Sequence, residues 1–239
     1  MHVKIDPKVL EKYPQMEIGY VVAKVQVRPN DPVVEELKLS LLTHLQEKGI
    51  NTTNFAAHPS ISLWRKIYEE DFWVKPKTYR SSIEALLRRL VLGKSLWSIC
   101  NVVDLYNCCS VLSLLPMGGY DLDKVNGVMS IRFAACGETF LGLGERQAIS
   151  TQPTQVVYAD DSRVMCWLWN HKDAQATCID ETTRECIFFI DTADGLETDR
   201  IEAALKLLSA NLERMGGNIL AHGRLNINSV EAKHDIHTN

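Results

Sequence analysis

Residues 101–124 read NVVDLYNCCSVLSLLPMGGYDLDK, and the fold turns on how this stretch is parsed. From Ser95 to Tyr120 the only charged residue is Asp104. A segment this apolar, from about Val102 to Leu114, predicts a helix buried on every side rather than a surface helix with one greasy face. Its polar residues Asn101, Asp104 and Asn107 recur every third position and so form one stripe. Buried polar groups must be hydrogen-bonded, so the stripe faces either a neighbouring backbone or a wet cleft. Pro116-Met117-Gly118-Gly119 then predicts a loop. The paired glycines offer bare backbone N–H groups and room for a ligand, or else a tight turn closed by hydrogen bonds to Asp121 or Asp123.

Upstream, Ile18 to Val27 is rich in valine and predicts a strand. Asp31 caps a helix with Pro32 at its first position, stopped at Gly49. A short helix follows Pro59 to Glu70, and Ser81 or Ser82 caps another that ends near Gly93. Downstream of Gly127 the period changes to that of strands, over Val128–Ala134, Gln155–Tyr158, Val164–Trp169, Gln175–Ile179 and Glu185–Asp191. Residues 197–215 return to helix, with Ile201, Leu205, Leu208 and Leu212 on one face and Gly216-Gly217 at its end. Helices and strands in blocks indicate the α+β class, a single domain with a mainly antiparallel sheet. The expected organisation is an N-terminal strand and helix over 1–57 packed on a main domain over 58–217. A polar tail over 218–239 is expected to be partly disordered, above all from Glu231.

The chain has 239 residues, 46% of them apolar and 23% charged, enough to bury a sizeable core. It shows no eighteen-residue apolar run and no basic-then-apolar leader, which argues for a soluble protein of the cytoplasm without a membrane partner. Seven cysteines without Cys-x-x-Cys spacing point to core thiols rather than a disulfide framework or a zinc site. No metal or cofactor is expected. A net charge of −4 argues against a broad grip on nucleic acid, DNA included. Residues 75–94, however, carry Lys75, Lys77, Arg80, Arg88, Arg89 and Lys94 against Glu84 alone. That patch suits either a few phosphates or a solvated helix face.

There is no nucleophile elbow, P-loop, His-Glu-x-x-His helix or dinucleotide fingerprint. At Trp169-Asn170-His171-Lys172-Asp173 an apolar strand ends abruptly in aromatic, amide and charged groups. Such an end suits either a strand opening onto a site or a polar hairpin turn. His171 is either a functional imidazole or an exposed turn residue.

Read together, these segments resemble the third-and-fourth-module editing domain of the phenylalanyl-tRNA synthetase beta subunit. Asn101-Val102-Val103-Asp104-Leu105-Tyr106-Asn107 is similar to its Asn-x-Val-Asp-x-x-Asn helix. Pro116-Met117-Gly118-Gly119-Tyr120-Asp121-Leu122-Asp123-Lys124 is similar to its Pro-Leu-His-Ala-Phe-Asp-Leu-Asp-Lys loop. Arg80 to Arg89, the Pro-x-Gly-Gly-Tyr-Asp-Leu-Asp motif and Trp169-Asn170 resemble the small free-standing relatives of that domain more closely still. Coverage runs from about residue 58 to 215.

The resemblance implies a trans-editing hydrolase. It would clear amino acids wrongly attached to tRNA through a positioned water, assisted by the substrate's own ribose hydroxyl and needing no metal. Carried over by position, Asn107 and the backbone at Gly118 and Gly119 would orient the ester, while Asn170 and Lys172 would hold ribose or phosphate. Asp104, Tyr120, Asp121, Trp169, His171 and Asp173 would line the substrate cleft. Lys75, Lys77, Arg80, Arg88 and Arg89 would meet the acceptor end of tRNA. Three positions depart from the family pattern. Gly118 stands where the synthetase has a histidine. His171-Lys172 stands where the free-standing relatives have Trp-Arg. Asp173 is the nearest acid to the synthetase glutamate that reads a tyrosine hydroxyl. The missing histidine also suits a different class, a binding module for tRNA, an amino acid or a protein partner that keeps the pocket without the hydrolysis.

Overall fold

From the N-terminus, His2–Ile5 forms β1, Pro7–Lys12 helix α1 and Glu17–Lys24 β2. Helix α2 spans Pro32–Glu47, with the Asp31 carboxylate accepting from the Val33 N–H, the capping that the Asp-Pro start predicts. Pro59–Lys66 is α3, continued by one π-turn over Ile67–Asp71, and Ser82–Val91 is α4, capped by the Ser81 hydroxyl. The buried helix, α5, spans Asn101–Ser113 and ends where Leu114 turns left-handed. Then come β3 (Met117–Asp121), β4 (Met129–Phe133), β5 (Thr139–Phe140), β6 (Ile149–Ser150), β7 (Val156–Ala159), β8 (Val164–Trp167) and β9 (Lys172–Asp173). The long strand β10 (Glu185–Thr192), helix α6 (Thr198–Arg214), β11 (Asn218–Leu225) and β12 (Glu231–Lys233) complete the chain. This computed structural model describes residues 1–195 and 198–235.

The strands form two main sheets and a small hairpin. One sheet runs β11-β2-β10-β3, antiparallel throughout. The other runs β12-β1-β4-β7-β8-β9, antiparallel except where β1 lies parallel to β4. All eight residues of β10 are buried, because the strand is covered on both faces. The pleat sends successive side chains to opposite sides. Phe188 meets Tyr106 of α5, whereas Phe189 meets Tyr158 of the other sheet at 4.9 Å between ring centroids. Helices α5 and α6 therefore form one layer, the four-stranded sheet the middle one and the six-stranded sheet the third. The α+β class is as expected, and no helix among the described residues is long and apolar enough to cross a membrane.

Several expectations are corrected. Gly118 and Gly119 lie within strand β3, paired with Phe189 and Phe188, not in a loop. Gln175–Thr177 is a short 3-10 turn, and β8 stops at Trp167. The tail is ordered through residue 235, since β11 pairs with β2 and β12 with β1. Residues 236–239 lie outside the described residues. Residues 1–57 are woven into both sheets, with β1 and β2 each between two neighbours, rather than laid on a finished domain. The polar alternation of β11 hid it, because an edge strand keeps one side wet and reads as weakly patterned.

Candidate active site

The reversal after β8 builds the site. Leu168 and Trp169 both take left-handed φ values, +54° and +64°, a conformation that side-chain-bearing residues adopt at a cost of about 1–3 kcal/mol each. Packing holds them there. Trp169 is fully buried between the rings of Tyr13 and Trp64, at centroid distances of 5.0 and 5.2 Å. Its backbone N–H donates to the Val156 carbonyl at 2.7 Å, and the Tyr68 hydroxyl donates to the Leu168 carbonyl at 2.8 Å. Asn170 is buried beside them. Its amide oxygen lies 3.0 Å from the Tyr68 hydroxyl, and its carbonyl accepts from Ser82 N at 2.8 Å, tying α4 to the turn.

This turn, β3 and β10 enclose a cavity of about 30 Å³. That volume holds a water or two and excludes an amino-acid side chain. Two carboxylates line it, Asp173 from β9 and Asp191 from β10. Asp173 accepts a hydrogen bond from the Tyr120 hydroxyl at 2.8 Å. Burial pushes its carboxyl above the ordinary range, while hydrogen bonds from Tyr120 and Cys166 pull it back. Asp191 is more deeply placed, 4% exposed, and burial pushes it up to about 7. The Tyr158 hydroxyl donates to it and the Asn170 amide approaches at 3.4 Å; both favour the ionised form, and the charge of Asp173 opposes it. Tyr120 and Tyr158 are themselves pushed far above the usual phenol range by burial, so at neutral pH they act only as donors to the acids. The arrangement is a pair of acids, one poised near neutrality, around space for a water.

An outer chamber of about 230 Å³ adjoins the cavity and shares His171 and Lys172 with it. Its walls are rings: Tyr79 stands edge-on to Trp167 and to His171, and Phe140 lies 6.0 Å from Trp167. His171 donates from Nδ1 to the Arg80 carbonyl at 2.7 Å. Burial lowers its pKa, helped by the charges of Lys172 and Arg80, so the imidazole is neutral at pH 7. Lys172 is paired with Glu145 at the rim.

Gly118, Tyr120, Trp169, Asn170, His171, Lys172 and Asp173 thus converge on one cavity. Asn107, Asp104, Gly119 and Asp121 do not line it. Asp104 accepts from Lys38 Nζ at 2.8 Å and from Ile99 N at 2.9 Å, and Asn101 binds the backbone of Arg28 and Gln26. For both residues, hydrogen bonding to neighbouring segments is the resolution of the polar stripe. Gly119 faces the helices, where an added β-carbon would meet Phe188 at 2.9 Å. Asp121 caps the following 3-10 turn and accepts from Thr183 at 2.7 Å. Among the cations, Lys75 and Lys77 line an open groove and Arg88 is exposed. Arg80 folds onto Glu84 at 3.6 Å, while Arg89 lies 4.3 Å above the Trp97 ring. Asp191 escaped the sequence reading, because an acid closing an all-buried strand looks like the strand's end. Among the described residues no group of three or more His, Cys, Asp or Glu side chains is placed to hold a metal ion.

The chain belongs to the B3/4 domain family, whose model matches residues 66–218. It is similar to the phenylalanine–tRNA ligase beta subunit of Chromobacterium violaceum, 35% identical over 79 residues, which is 33% of this chain and 10% of that protein. Among solved structures it is similar to an N-terminal fragment of the phenylalanyl-tRNA synthetase beta subunit from Pyrococcus horikoshii. That likeness has a TM-score of 0.48 at 14% identity and covers 91% of this chain and 49% of the other. The chain therefore spans a tenth of the ligase subunit and about half of the fragment.

Proposed function

We propose that this chain hydrolyses the ester of a mischarged aminoacyl-tRNA in trans, in the cytoplasm. The observation that carries the reading is the water-sized cavity bearing Asp173 and Asp191, which adjoins a chamber walled by aromatic rings. An aminoacyl ester is already activated, so holding a water in line and accepting its proton supplies much of the rate. Water adds to the ester carbonyl as its proton passes to the Asp191 carboxylate, or as the vicinal ribose hydroxyl relays it, taking the water's proton while giving its own to the neighbouring ester oxygen. The bond from the carbonyl carbon to the ribose oxygen then breaks, and that oxygen takes up the proton. The products are the free amino acid and the uncharged tRNA end. Membership of the B3/4 family, with a tRNA ligase subunit among its relatives, supports the choice of substrate.

The test is release of labelled amino acid from a panel of charged tRNAs. Activity should rise through about pH 7 as Asp191 ionises, and Asp191→Asn should flatten that profile. Replacing the vicinal hydroxyl of the terminal ribose with hydrogen should slow release sharply. Absence of release from every charged tRNA would remove the reading.

One observation favours a second reading, a binding module without hydrolysis. Both acids already accept tyrosine hydroxyls, and the cavity between them admits no side chain. Retention of charged tRNA on a filter with no release of amino acid would decide for it.

A further inference from the structure

Trp73 is 77% exposed, although its neighbour Phe72 is 2% exposed and Tyr68 1%. Phe72 N donates to the Ile67 carbonyl at 3.1 Å and Val74 N to the Tyr68 carbonyl at 2.9 Å, closing the end of the π-turn around it. At that stop Trp73 has φ +54°, the left-handed position that glycine fills without strain. The backbone thus asks for a glycine and the core asks for nothing, yet the chain presents an indole to solvent.

The indole edges a groove of about 530 Å³ whose other walls include Arg65, Val74, Lys75, Pro76 and Lys77. Lys75 and Lys77 are exposed and their side chains form no ion pair or hydrogen bond among the described residues, whereas Arg65 is held by Glu84 at 2.7 Å. A turn steadies the lysines, with Thr78 N and Tyr79 N both donating to the Lys75 carbonyl at 2.9 Å. Glu69 is the one acid on the rim. Six residues beyond Trp73, Tyr79 forms a wall of the aromatic chamber, and the next carbonyl receives His171. One segment, 73–80, therefore carries the groove at one end and the chamber at the other, at most about 20 Å apart.

We infer that the Trp73 groove receives an unpaired base of an RNA strand, with the indole stacked on the base and Lys75 and Lys77 on the flanking phosphates. An exposed ring between unpaired cations matches how single strands are held without sequence preference: every base has a π-face and every linkage a negative charge. Protein–protein interfaces are depleted in lysine, whereas this groove sets two lysines beside its exposed ring. The identification of the strand as the end of a tRNA rests on the function proposed above; the chemistry of the groove does not.

The test titrates the full-length chain with an uncharged single-stranded RNA octamer, a blunt RNA duplex and heparin, a polyanion without bases. Trp73→Ala should weaken the octamer about 5- to 150-fold, the loss of one stacked base, and leave heparin unchanged. Trp73→Phe should restore most of the affinity. Lys75→Ala with Lys77→Ala should lower the salt slope by about 1.4 units, for two lost phosphates on a single strand. Unchanged octamer affinity in a folded Trp73→Ala variant overturns the inference, as does an equal loss for heparin or the duplex. Unchanged affinity combined with altered self-association in sedimentation would assign the groove to contact between copies and also overturn it. Octamer binding that depends on Trp73 supports the groove even where no charged tRNA is hydrolysed, an outcome that sinks only the deacylation.

Discussion

The Tyr158 hydroxyl donates to the carboxylate of Asp191, joining β7 of one sheet to β10 of the other at a point closed to bulk water. The two strands are thereby bridged by a polar contact inside an otherwise aromatic seam, in which Tyr120, Tyr158 and Phe189 are neighbours. Such a contact holds sheet geometry and a titratable group in the same few ångströms.

Stability should therefore fall with rising pH. Asp191 is pushed up to about 7 in the fold, against about 3.9 unfolded, so between these values the folded state binds the extra proton. The contribution is present below the unfolded value and is lost as pH rises to about 7, a change on the order of a few kcal/mol. Asp173, raised for the same reason, adds the same sign. His171, lowered by burial, has the opposite sign and destabilises the fold as pH falls below about 6.5. Urea denaturation of the wild type and of Asp191→Asn at pH 5 and pH 8 isolates the first effect, since His171 cancels in the difference. Parallel pH profiles for the two proteins would show that Asp191 does not titrate in this range.

Adjacent glycines should respond oppositely to alanine. A β-carbon on Gly119 would lie 2.9 Å from Phe188 and 3.2 Å from Ile179, so Gly119→Ala should cost about 1–3 kcal/mol. On Gly118 the nearest atoms are Tyr120 Oη at 3.6 Å and Asp173 Oδ1 at 3.9 Å, ordinary contact distances. Gly118→Ala should change stability by less than about 0.5 kcal/mol while narrowing the cavity. Equal losses in thermal denaturation would contradict the strand pleat that separates the two.

Glu84 is 1% exposed and accepts two hydrogen bonds from Arg65, at 2.7 and 3.0 Å, with Arg80 3.6 Å away. Glu84→Ala removes the shared acceptor of two partly exposed cations and should cost about 1.5–3 kcal/mol. Arg80→Ala should lower stability and leave the salt dependence of RNA binding unaltered, because its guanidinium is engaged internally. A change in salt slope of about one unit would instead return Arg80 to the RNA surface.

Asn107 is the residue on which the cavity assignment is most exposed. It lies on α5 away from the lining, so Asn107→Ala should leave deacylation intact, whereas Tyr120→Phe, which removes the donor to Asp173, should slow it. A ten- to thousand-fold drop in turnover for Asn107→Ala, the size expected of a lost positioning contact, would place the reacting ester against α5.

Much of the fold was legible in the chain because its signals are local. The buried helix was expected over about Val102–Leu114 and spans Asn101–Ser113, its stop set by neighbouring backbone. Asp31-Pro32 and Ser81 mark helix starts because a cap contacts residues two or three positions on. The cluster Trp169 to Asp173 stood out by its abrupt change of chemistry, and all five of its residues line the cavity.

What sequence alone determined was thus the set of elements whose hydrogen bonds close within a few residues, together with the family pattern they carry. Tertiary structure decided everything that depends on partners distant in the chain. The polar tail became strands because β2 and β1 offered open edges to Asn218–Leu225 and Glu231–Lys233. Gly118 and Gly119 acquired opposite roles because pairing with β10 assigned one to the cavity and the other to the helix layer. Asp191 became the central acid because burial between two sheets, with Tyr158 33 residues away and Asp173 for company, changed what a carboxylate can do. Desolvation is a property of the assembled layers, and no local spacing encodes it.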